Sequence, residues 1–202
     1  MHAENTLWEK AVAFHGHKCT GLAMGFRVAM AALNALEAER PSDEELVAIV
    51  ENDSCAVDAI QVITGCTLGK GNLIFRDYGK QIYTFAVRDS GKAIRIEALR
   101  LNEDGREELQ ALRRKVFGGE ATEEERQLYR KKVEVAVEEY LSAPLERVVR
   151  MKEVKCTLPE KARLFNSVTC ALCGEKVMEP RARIKDGQPV CIPCADQYSR
   201  GW

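Results

Sequence analysis

Two pairs of cysteines near the C-terminus place the strongest constraint on what this chain can fold into. Cys170 and Cys173 form one CxxC pair, Cys191 and Cys194 form a second, and seventeen residues separate the pairs. This spacing is typical of structural zinc sites, in which each pair turns back as a knuckle and four sulfurs surround one ion. We therefore predict a four-cysteine zinc finger over residues 169–202. Since cysteine fills all four ligand positions, we expect no open coordination position for catalysis there.

The segment has few apolar residues, so burial alone would not fold it. Zinc would supply folding free energy on the order of 10–16 kcal/mol. Gly174 follows the first pair, and Asp186-Gly187 predicts a turn between the pairs. A short helix predicted after Cys194, including Gln197-Tyr198, indicates a treble-clef arrangement.

Charge argues against a nucleic-acid function. The 202 residues include 30 Lys and Arg and 31 Asp and Glu, which gives a net charge of −1. Between Pro159 and Trp202 there are seven basic and five acidic residues, and a zinc ion held by four thiolates adds about −2. This balance offsets the electrostatic attraction that phosphate backbones require. We expect the finger to dock onto protein or to stabilise a dimer.

The cellular location is predicted from what the sequence does not contain. No apolar run approaches the roughly 18 residues of a membrane span, and residues 1–14 lack the apolar core of a signal peptide. Eight cysteines, of which four form CxxC pairs, favour metal and thiol chemistry in a reducing compartment over disulfides. We expect a cytoplasmic protein with no membrane contact.

Hydrophobic periodicity predicts an α+β core domain over residues 1–155, with helices packed on a mostly antiparallel sheet, and a linker over 156–168. The strands at 73–76, 81–88 and 92–99 are predicted to form a meander, with Asp89-Ser90-Gly91 as its last turn. Helices are predicted at 5–13, 21–39, 54–63, 103–117 and 123–141, and strands at 46–50, 73–76, 81–88, 92–99 and 145–154.

Phe14-His15-Gly16-His17-Lys18-Cys19-Thr20-Gly21 is the main candidate for a functional site in the core domain. Two of the three histidines of the chain lie here, and Cys19 follows His17 by two positions. Imidazole and thiolate are ligands for transition metals, and they also form nucleophile–base pairs in covalent catalysis. If the segment is extended, residues 15, 17 and 19 share one side. Cys19 would also precede a helix, whose free N–H groups stabilise a thiolate.

Two further segments carry the same kinds of side chain. One contains Asp53, Cys55 and Asp58, and the other contains Cys66, Lys70 and Asn72. We expect the three segments to converge, so that a second transition metal is held by His15, His17, Cys19 and Cys55, with Asp58 as ligand or partner. Cys55, Cys19 and Asp58 are also the candidate catalytic residues. Each has a structural alternative, since an isolated buried cysteine usually packs as a small apolar side chain.

The chain resembles a known family, the FmdE family of formylmethanofuran dehydrogenase subunits. The resemblance covers about residues 10–155, and some family members carry a C-terminal finger. Thr20 departs from the family pattern, which often has proline there, without changing the proposed ligands. The three matching blocks, in this order, are Phe14-His15-Gly16-His17-x-Cys19-x-Gly21, Glu51–Gln61 with Cys55 and Asp58-Ala59-Ile60-Gln61, and Thr64-Gly65-Cys66-Thr67-x-Gly69-Lys70-Gly71-Asn72-Leu73.

The resemblance implies an α+β core that is commonly a homodimer, with a metal-binding cleft built from the His/Cys loops. It also implies an accessory role for the molybdenum- or tungsten-dependent enzyme of methanogenesis, which reduces carbon dioxide to formylmethanofuran. Our first hypothesis is therefore a metal-binding accessory protein with molybdenum- or tungsten-enzyme partners. The alternatives are a stand-alone enzyme that uses the core metal or a cysteine, and an adaptor built on the zinc finger.

Overall fold

A computed structural model describes residues 2–101 and 106–196, and these residues confirm the predicted α+β class. The chain divides into two units, Met1–Lys161 and Ala162–Trp202. Within the described ranges, no helix has both the length and the apolar character that crossing a bilayer requires. The helices of the first unit are α1 (His2–His15), α2 (Thr20–Leu36), α3 (Ala56–Thr64), α4 (Arg106–Gly118), α5 (Glu123–Ser142) and α6 (Leu145–Val148), and its strands are β1 (Leu46–Val50), β2 (Leu73–Phe75), β3 (Ile82–Val87), β4 (Ala93–Ala98) and β5 (Val149–Glu153).

The first unit contains a five-stranded sheet with the order β2-β1-β3-β4-β5. β1 runs parallel to β2, and every other neighbouring pair is antiparallel. The predicted β3–β4 hairpin is confirmed. The predicted meander is wrong at its first strand, because β1 lies between β2 and β3. The helix α3 connects β1 to β2 as a crossover, and such a connection produces parallel neighbours.

The helices pack on one face of this sheet. Every residue of β1 is buried, which agrees with its unbroken apolar sequence and its position inside the sheet. Aromatic and aliphatic side chains such as Tyr83, Phe85 and Ile96 meet the buried face of α2 in one continuous core. This shared core holds α1, α2 and α3 together, so that the end of α1 and the starts of α2 and α3 lie near one another.

Two local features position α5 and the chain after it. Thr122 and Glu125 form the predicted capping box at its start. At its end, the Arg27 guanidinium donates to the carbonyl oxygens of Tyr140, Leu141 and Ala143 at 2.8, 2.6 and 2.8 Å. The strand predicted from residue 145 begins later, at Val149. Residues 145–148 form the helical turn α6 instead, since Pro144 begins a helix favourably and cannot donate to a strand.

The second unit contains two short hairpins and two 3-10 turns. β6 (Ser167–Thr169) pairs with β7 (Lys176–Met178), and β8 (Arg183–Lys185) pairs with β9 (Gln188–Val190). The predicted turn at Asp186-Gly187 connects the second hairpin, with both residues at positive φ. The 3-10 turns cover Glu179–Arg181 and Ile192–Cys194. The predicted C-terminal helix at Gln197-Tyr198 lies outside the described residues.

Candidate metal centre

The histidine segment is the junction between α1 and α2. His15 is the last residue of α1, so residues 15, 17 and 19 do not form one extended segment. Gly16 turns the chain with φ +91°, a conformation that a side chain would disfavour, and its N–H donates to the Val12 carbonyl at 2.8 Å. Cys19 caps α2, and its Sγ accepts a hydrogen bond from the Leu22 N–H at 3.3 Å.

Asp58 on α3 orients the His15 ring. Its Oδ2 lies 2.7 Å from His15 Nδ1, and His15 Nε2 on the other side of the ring lies 3.7 Å from Cys19 Sγ. When Nδ1 carries the proton and donates it to Asp58, Nε2 presents a lone pair toward the thiol. A carboxylate that binds the outer nitrogen of a metal-ligating histidine fixes its tautomer and makes it a stronger ligand.

His17 completes a group of three donors. Its ring centroid lies 4.5 Å from that of His15, and the ligand atoms of His15, His17 and Cys19 all lie within 4.8 Å of one another. A tetrahedral zinc ion would separate a bound nitrogen and a bound sulfur by about 3.6 Å, given its usual bond lengths. The observed separation of 3.7 Å fits such an ion. The donors suit a borderline or soft transition metal better than calcium or magnesium.

Cys55 lies beside this group rather than within it. A Cβ placed on Gly21 would be 3.8 Å from Cys55 Sγ and 3.9 Å from Cys19 Sγ, so the two thiols flank this glycine. A Cβ on Gly25 would lie 2.3–2.7 Å from backbone atoms of Ala56, which is closer than atoms can approach. The absence of side chains at both glycines therefore lets α2 and α3 meet at their backbones. Sequence reasoning did not single out Gly25, although the Gly21-x-x-x-Gly25 spacing is typical of close helix contacts.

Burial raises the pKa of the Cys19 thiol to about 11, and the neighbouring Cys55 thiol adds to the rise. The Leu22 N–H opposes it, because a hydrogen bond to Sγ stabilises the thiolate. Without a cation this thiol is protonated at neutral pH. Metal binding at Cys19 would therefore release a proton.

The third sequence segment does not join the site, so the predicted convergence of all three is wrong. Cys66 is fully buried, and its Sγ donates to the Leu46 carbonyl oxygen at 3.3 Å. Lys70 Nζ donates to the Asp43 carbonyl at 3.2 Å, and Asn72 Nδ2 donates to the Leu46 carbonyl at 2.9 Å. These contacts lie at the start of β1, whereas the chain from the end of β1 leads to Cys55. The Cys66 segment closes the sheet edge and leaves the donors to α1, α2 and α3.

The second unit brings its four cysteines together. Cys170, Cys173, Cys191 and Cys194 have sulfur atoms within 4.8 Å of one another. Cys173 Sγ and Cys191 Sγ are 3.8 Å apart, which equals the separation of about 3.8 Å expected for two sulfurs on one tetrahedral zinc ion. Each pair turns as a knuckle, since Gly174 N–H donates to the Cys170 carbonyl and Cys194 N–H donates to the Cys191 carbonyl, both at 3.0 Å.

Electrostatics of the four thiols favour a bound cation. Backbone N–H groups of Cys173 and Cys191 lower the pKa of Cys170 to about 6. The neighbouring thiols of Cys191 and Cys173 raise the pKa of Cys194 to about 12. Four thiolates at this distance repel one another, so all four ionise together only when a cation balances them.

Comparison with known proteins agrees with this organisation. Residues 14–150 match the family described as "FmdE, Molybdenum formylmethanofuran dehydrogenase operon". The chain belongs to the FmdE family. Residues 163–200 match the prokaryotic dksA/traR C4-type zinc finger, which supports zinc binding by the four cysteines.

Two relatives put this family membership in context. An Archaeoglobus fulgidus protein described as a probable S-adenosyl-L-methionine-binding protein is 32% identical over 196 residues, which are 94% of this chain and 52% of that protein. The chain thus spans about half the length of this curated relative. The crystal structure of an FmdE-like protein of the tungsten formylmethanofuran dehydrogenase type, from Syntrophus aciditrophicus, has a TM-score of 0.59 and 24% identity, covering 95% of this chain and 91% of that one. This likeness concerns the fold alone. The FmdE domain and the cysteine cluster together suggest a metal-binding accessory protein.

Proposed function

We propose that this FmdE-family chain binds an exchangeable transition metal in its core and a structural zinc in its C-terminal unit. In the core, His15 Nε2, His17 and Cys19 Sγ would hold the ion, with Cys55 beside Cys19 as a further donor. A metal bound there would act as a Lewis acid or bind a further ligand, since three protein donors leave coordination positions open. The role of the chain would be that of a metal-handling accessory protein.

The observation that carries this proposal is the alignment of Asp58, His15 and Cys19. Asp58 accepts from one nitrogen of the imidazole at 2.7 Å, and the other nitrogen faces a thiol at 3.7 Å. A buried structural histidine also finds a carboxylate partner, but it does not need a second imidazole and a thiol around its remaining nitrogen. The set of donors, rather than any single contact, favours a metal.

The proposed partners are the subunits of a molybdenum- or tungsten-dependent oxidoreductase of one-carbon metabolism, and the proposed assembly is a cytoplasmic homodimer. The family description, which names a molybdenum formylmethanofuran dehydrogenase operon, supports the first of these. The chain should then elute with the catalytic subunits of such an enzyme after co-expression. Separate elution of a fully folded chain would contradict the accessory role while leaving the metal site standing.

The test of the metal proposal is metal analysis of the full chain before and after dialysis against a chelator. About one zinc per chain should resist dialysis, because four thiolates enclose it, and a second metal should be lost first. His17→Ala should lose the second metal and keep the resistant zinc, and Cys55→Ala should have a smaller effect. The matched control is Cys156→Ala, since this cysteine belongs to neither cluster. Wild-type metal content in His17→Ala and Cys19→Ala would overturn the core site.

A stand-alone metal- or cysteine-dependent enzyme is the second candidate. Two observations favour it: the core donors leave coordination positions open, and the Cys19 and Cys55 thiols flank the same glycine. Such an enzyme should contain one thiol that reacts rapidly with iodoacetamide at neutral pH when metal is bound, and the reaction should disappear in Cys55→Ala or Cys19→Ala. Equal, slow alkylation of both thiols would contradict this candidate.

A further inference from the structure

A cavity of about 330 Å³ lies between α1 and α3, beside the metal centre. This volume is at the lower end of the range of roughly 300–1,000 Å³ that is usual for small-molecule pockets. The lining combines aliphatic and aromatic side chains with two cations, one amide and one hydroxyl. The lining residues are Leu7, Lys10, Phe14, Arg40, Gln61, Val62 and Thr67.

Arg40 is held in place at the cavity by the end of α3. Its Nε donates to the Val62 carbonyl oxygen at 3.2 Å, and its side chain lies against Gly65. A Cβ at Gly65 would come within 3.2 Å of the Arg40 side chain, and Gly65 has φ +69°. Glycine thus provides both the turn that ends α3 and the space through which the guanidinium reaches the cavity.

The two cations have no acidic partner in the described part of the chain. Within residues 2–101 and 106–196, neither Lys10 nor Arg40 forms a salt bridge with a carboxylate. Gln61 and Thr67 add an amide and a hydroxyl to the same lining, which can hydrogen-bond to an anion. Two positive charges beside an apolar wall attract an anionic group that is attached to an apolar body.

We infer that this cavity binds a small organic anion with an aromatic or aliphatic body. The anionic group would lie between Lys10 and Arg40, and the body would lie against Leu7, Phe14 and Val62. This is a ligand site separate from the metal donors, none of which lines the cavity.

The cavity is nevertheless adjacent to the metal centre along both helices. Phe14 directly precedes His15 on α1, and Gln61 and Val62 follow Asp58 by three and four residues on α3. Residues at these spacings share one helix face. A bound anion would therefore lie about one helical turn from the carboxylate that orients His15.

The test uses two fluorescent probes with the same kind of apolar body and different charge. The probe 8-anilinonaphthalene-1-sulfonate carries an anionic group, and N-phenyl-1-naphthylamine lacks it. Both are titrated into the full chain. Arg40→Gln and Lys10→Gln should each weaken binding of the sulfonate by about five- to tenfold, because each removes a charged hydrogen-bond donor. The same variants should leave binding of the neutral probe nearly unchanged.

Phe14→Ala separates the apolar wall from the charges. Because this side chain is 61% exposed, its removal should not unfold the core, and it should weaken both probes to a similar extent. Lys131→Gln on α5 is the matched control for charge, since it changes an exposed lysine that does not line the cavity. The inference is overturned if the sulfonate binds equally well to Arg40→Gln, Lys10→Gln and wild type, or if Lys131→Gln weakens it as much.

The result does not depend on the proposed metal function. His17→Ala should bind the sulfonate as wild type does, and Arg40→Gln should keep the wild-type metal content. Loss of metal in His17→Ala together with unchanged probe binding in Arg40→Gln would retain the metal centre and reject the anion site. The reverse pair of results would retain the anion site and reject the metal centre.

Discussion

The two cysteine-containing sites differ in how each relates to its surrounding fold. Among the described residues, the core unit buries 28 residues in one continuous cluster, whereas the C-terminal unit buries three. Two of those three, Cys170 and Cys191, are themselves proposed zinc ligands. In the C-terminal unit the metal would hold the fold together. In the core the fold holds the donors in place.

This difference predicts opposite roles for the two metals. A site closed by four thiolates stabilises structure and exchanges its ion slowly, while a site with three protein donors can accept a further ligand. The core donors His15, His17 and Cys19 are half-buried or exposed, so an ion can reach them. Substitutions that damage one site should therefore leave the other intact.

The largest effect is expected from loss of a zinc ligand. Cys191→Ser removes one of the four thiolates and should unfold the C-terminal unit, because zinc contributes on the order of 10–16 kcal/mol to folding of such modules. In ¹H–¹⁵N correlation spectra, signals of this unit should collapse to unfolded positions while those of the core persist. Cys156→Ser serves as the control. A C-terminal unit that stays folded in Cys191→Ser would contradict the role of zinc in holding it together.

The core should instead be sensitive to packing between α2 and α3. Gly25→Ala introduces a Cβ that would lie 2.3–2.7 Å from backbone atoms of Ala56, so the helices must separate. We expect a loss of about 3 kcal/mol in the free energy of unfolding, at the upper end of the usual range for overpacking. Urea unfolding monitored by circular dichroism measures it.

The matched control for this change is Gly118→Ala at the end of α4, where the new Cβ meets no atom within 4 Å. It should be neutral or slightly stabilising, since alanine favours helix. Gly25→Ala should also weaken the core metal by moving Cys19 away from α3, and it should leave the zinc in place. Equal stability of the two alanine variants would show that the close helix contact does not determine core stability.

A smaller effect, confined to one site, is expected from Asp58→Asn. The amide keeps the shape of the side chain but removes the negative charge that accepts from His15 Nδ1 at 2.7 Å. Loss of such a partner typically weakens metal binding by about 10- to 100-fold. Competition with a chromophoric chelator would measure the core affinity, and the tightly held zinc should not change. Asp53→Asn is a control on the same segment, since Asp53 is not part of the donor group.

The sequence predicted the parts of the fold that depend on local pattern. The β3–β4 hairpin, the α5 capping box and the CxxC knuckles each depend on residues close together in the chain. The placement of β1 between β2 and β3 could not be predicted this way, because strand order depends on how α3 crosses the sheet. The same long-range contacts decide which segments meet.

This is why the candidate site was predicted only in part. His15, His17 and Cys19 are neighbours in sequence, and the structure brings them together. The pairing of Asp58 with His15 joins residues 43 positions apart and was only one of two roles considered for Asp58. Cys66 was assigned to the wrong location because a cysteine in a polar, glycine-rich segment looks the same in sequence whether it binds a metal or packs in a core. The cavity between α1 and α3 has no local sequence signal.

The smallest predicted effect separates the cysteine that packs from those that bind metal. Burial raises the pKa of Cys66 to about 11, so the folded chain keeps this proton at pH values where the unfolded chain loses it. The free energy of unfolding should therefore fall as pH rises above the ordinary thiol pKa, and the slope should end near pH 11. By pH 10 the loss from this group should be about 1.4 kcal/mol relative to neutral pH, for a shift of about two units.

Cys66→Ala tests this contribution through its pH dependence rather than through its stability at one pH. The variant is less stable throughout, since it loses the contact with the Leu46 carbonyl, but the difference from wild type should shrink between pH 8 and pH 10. Core unfolding in urea, followed by tyrosine absorbance, measures both curves. Cys156→Ala should run parallel to wild type, because its thiol is not buried in the core. A constant difference between Cys66→Ala and wild type over this range would mean that Cys66 ionises as easily in the folded core as in the unfolded chain, and that its burial does not distinguish it from the ligand cysteines.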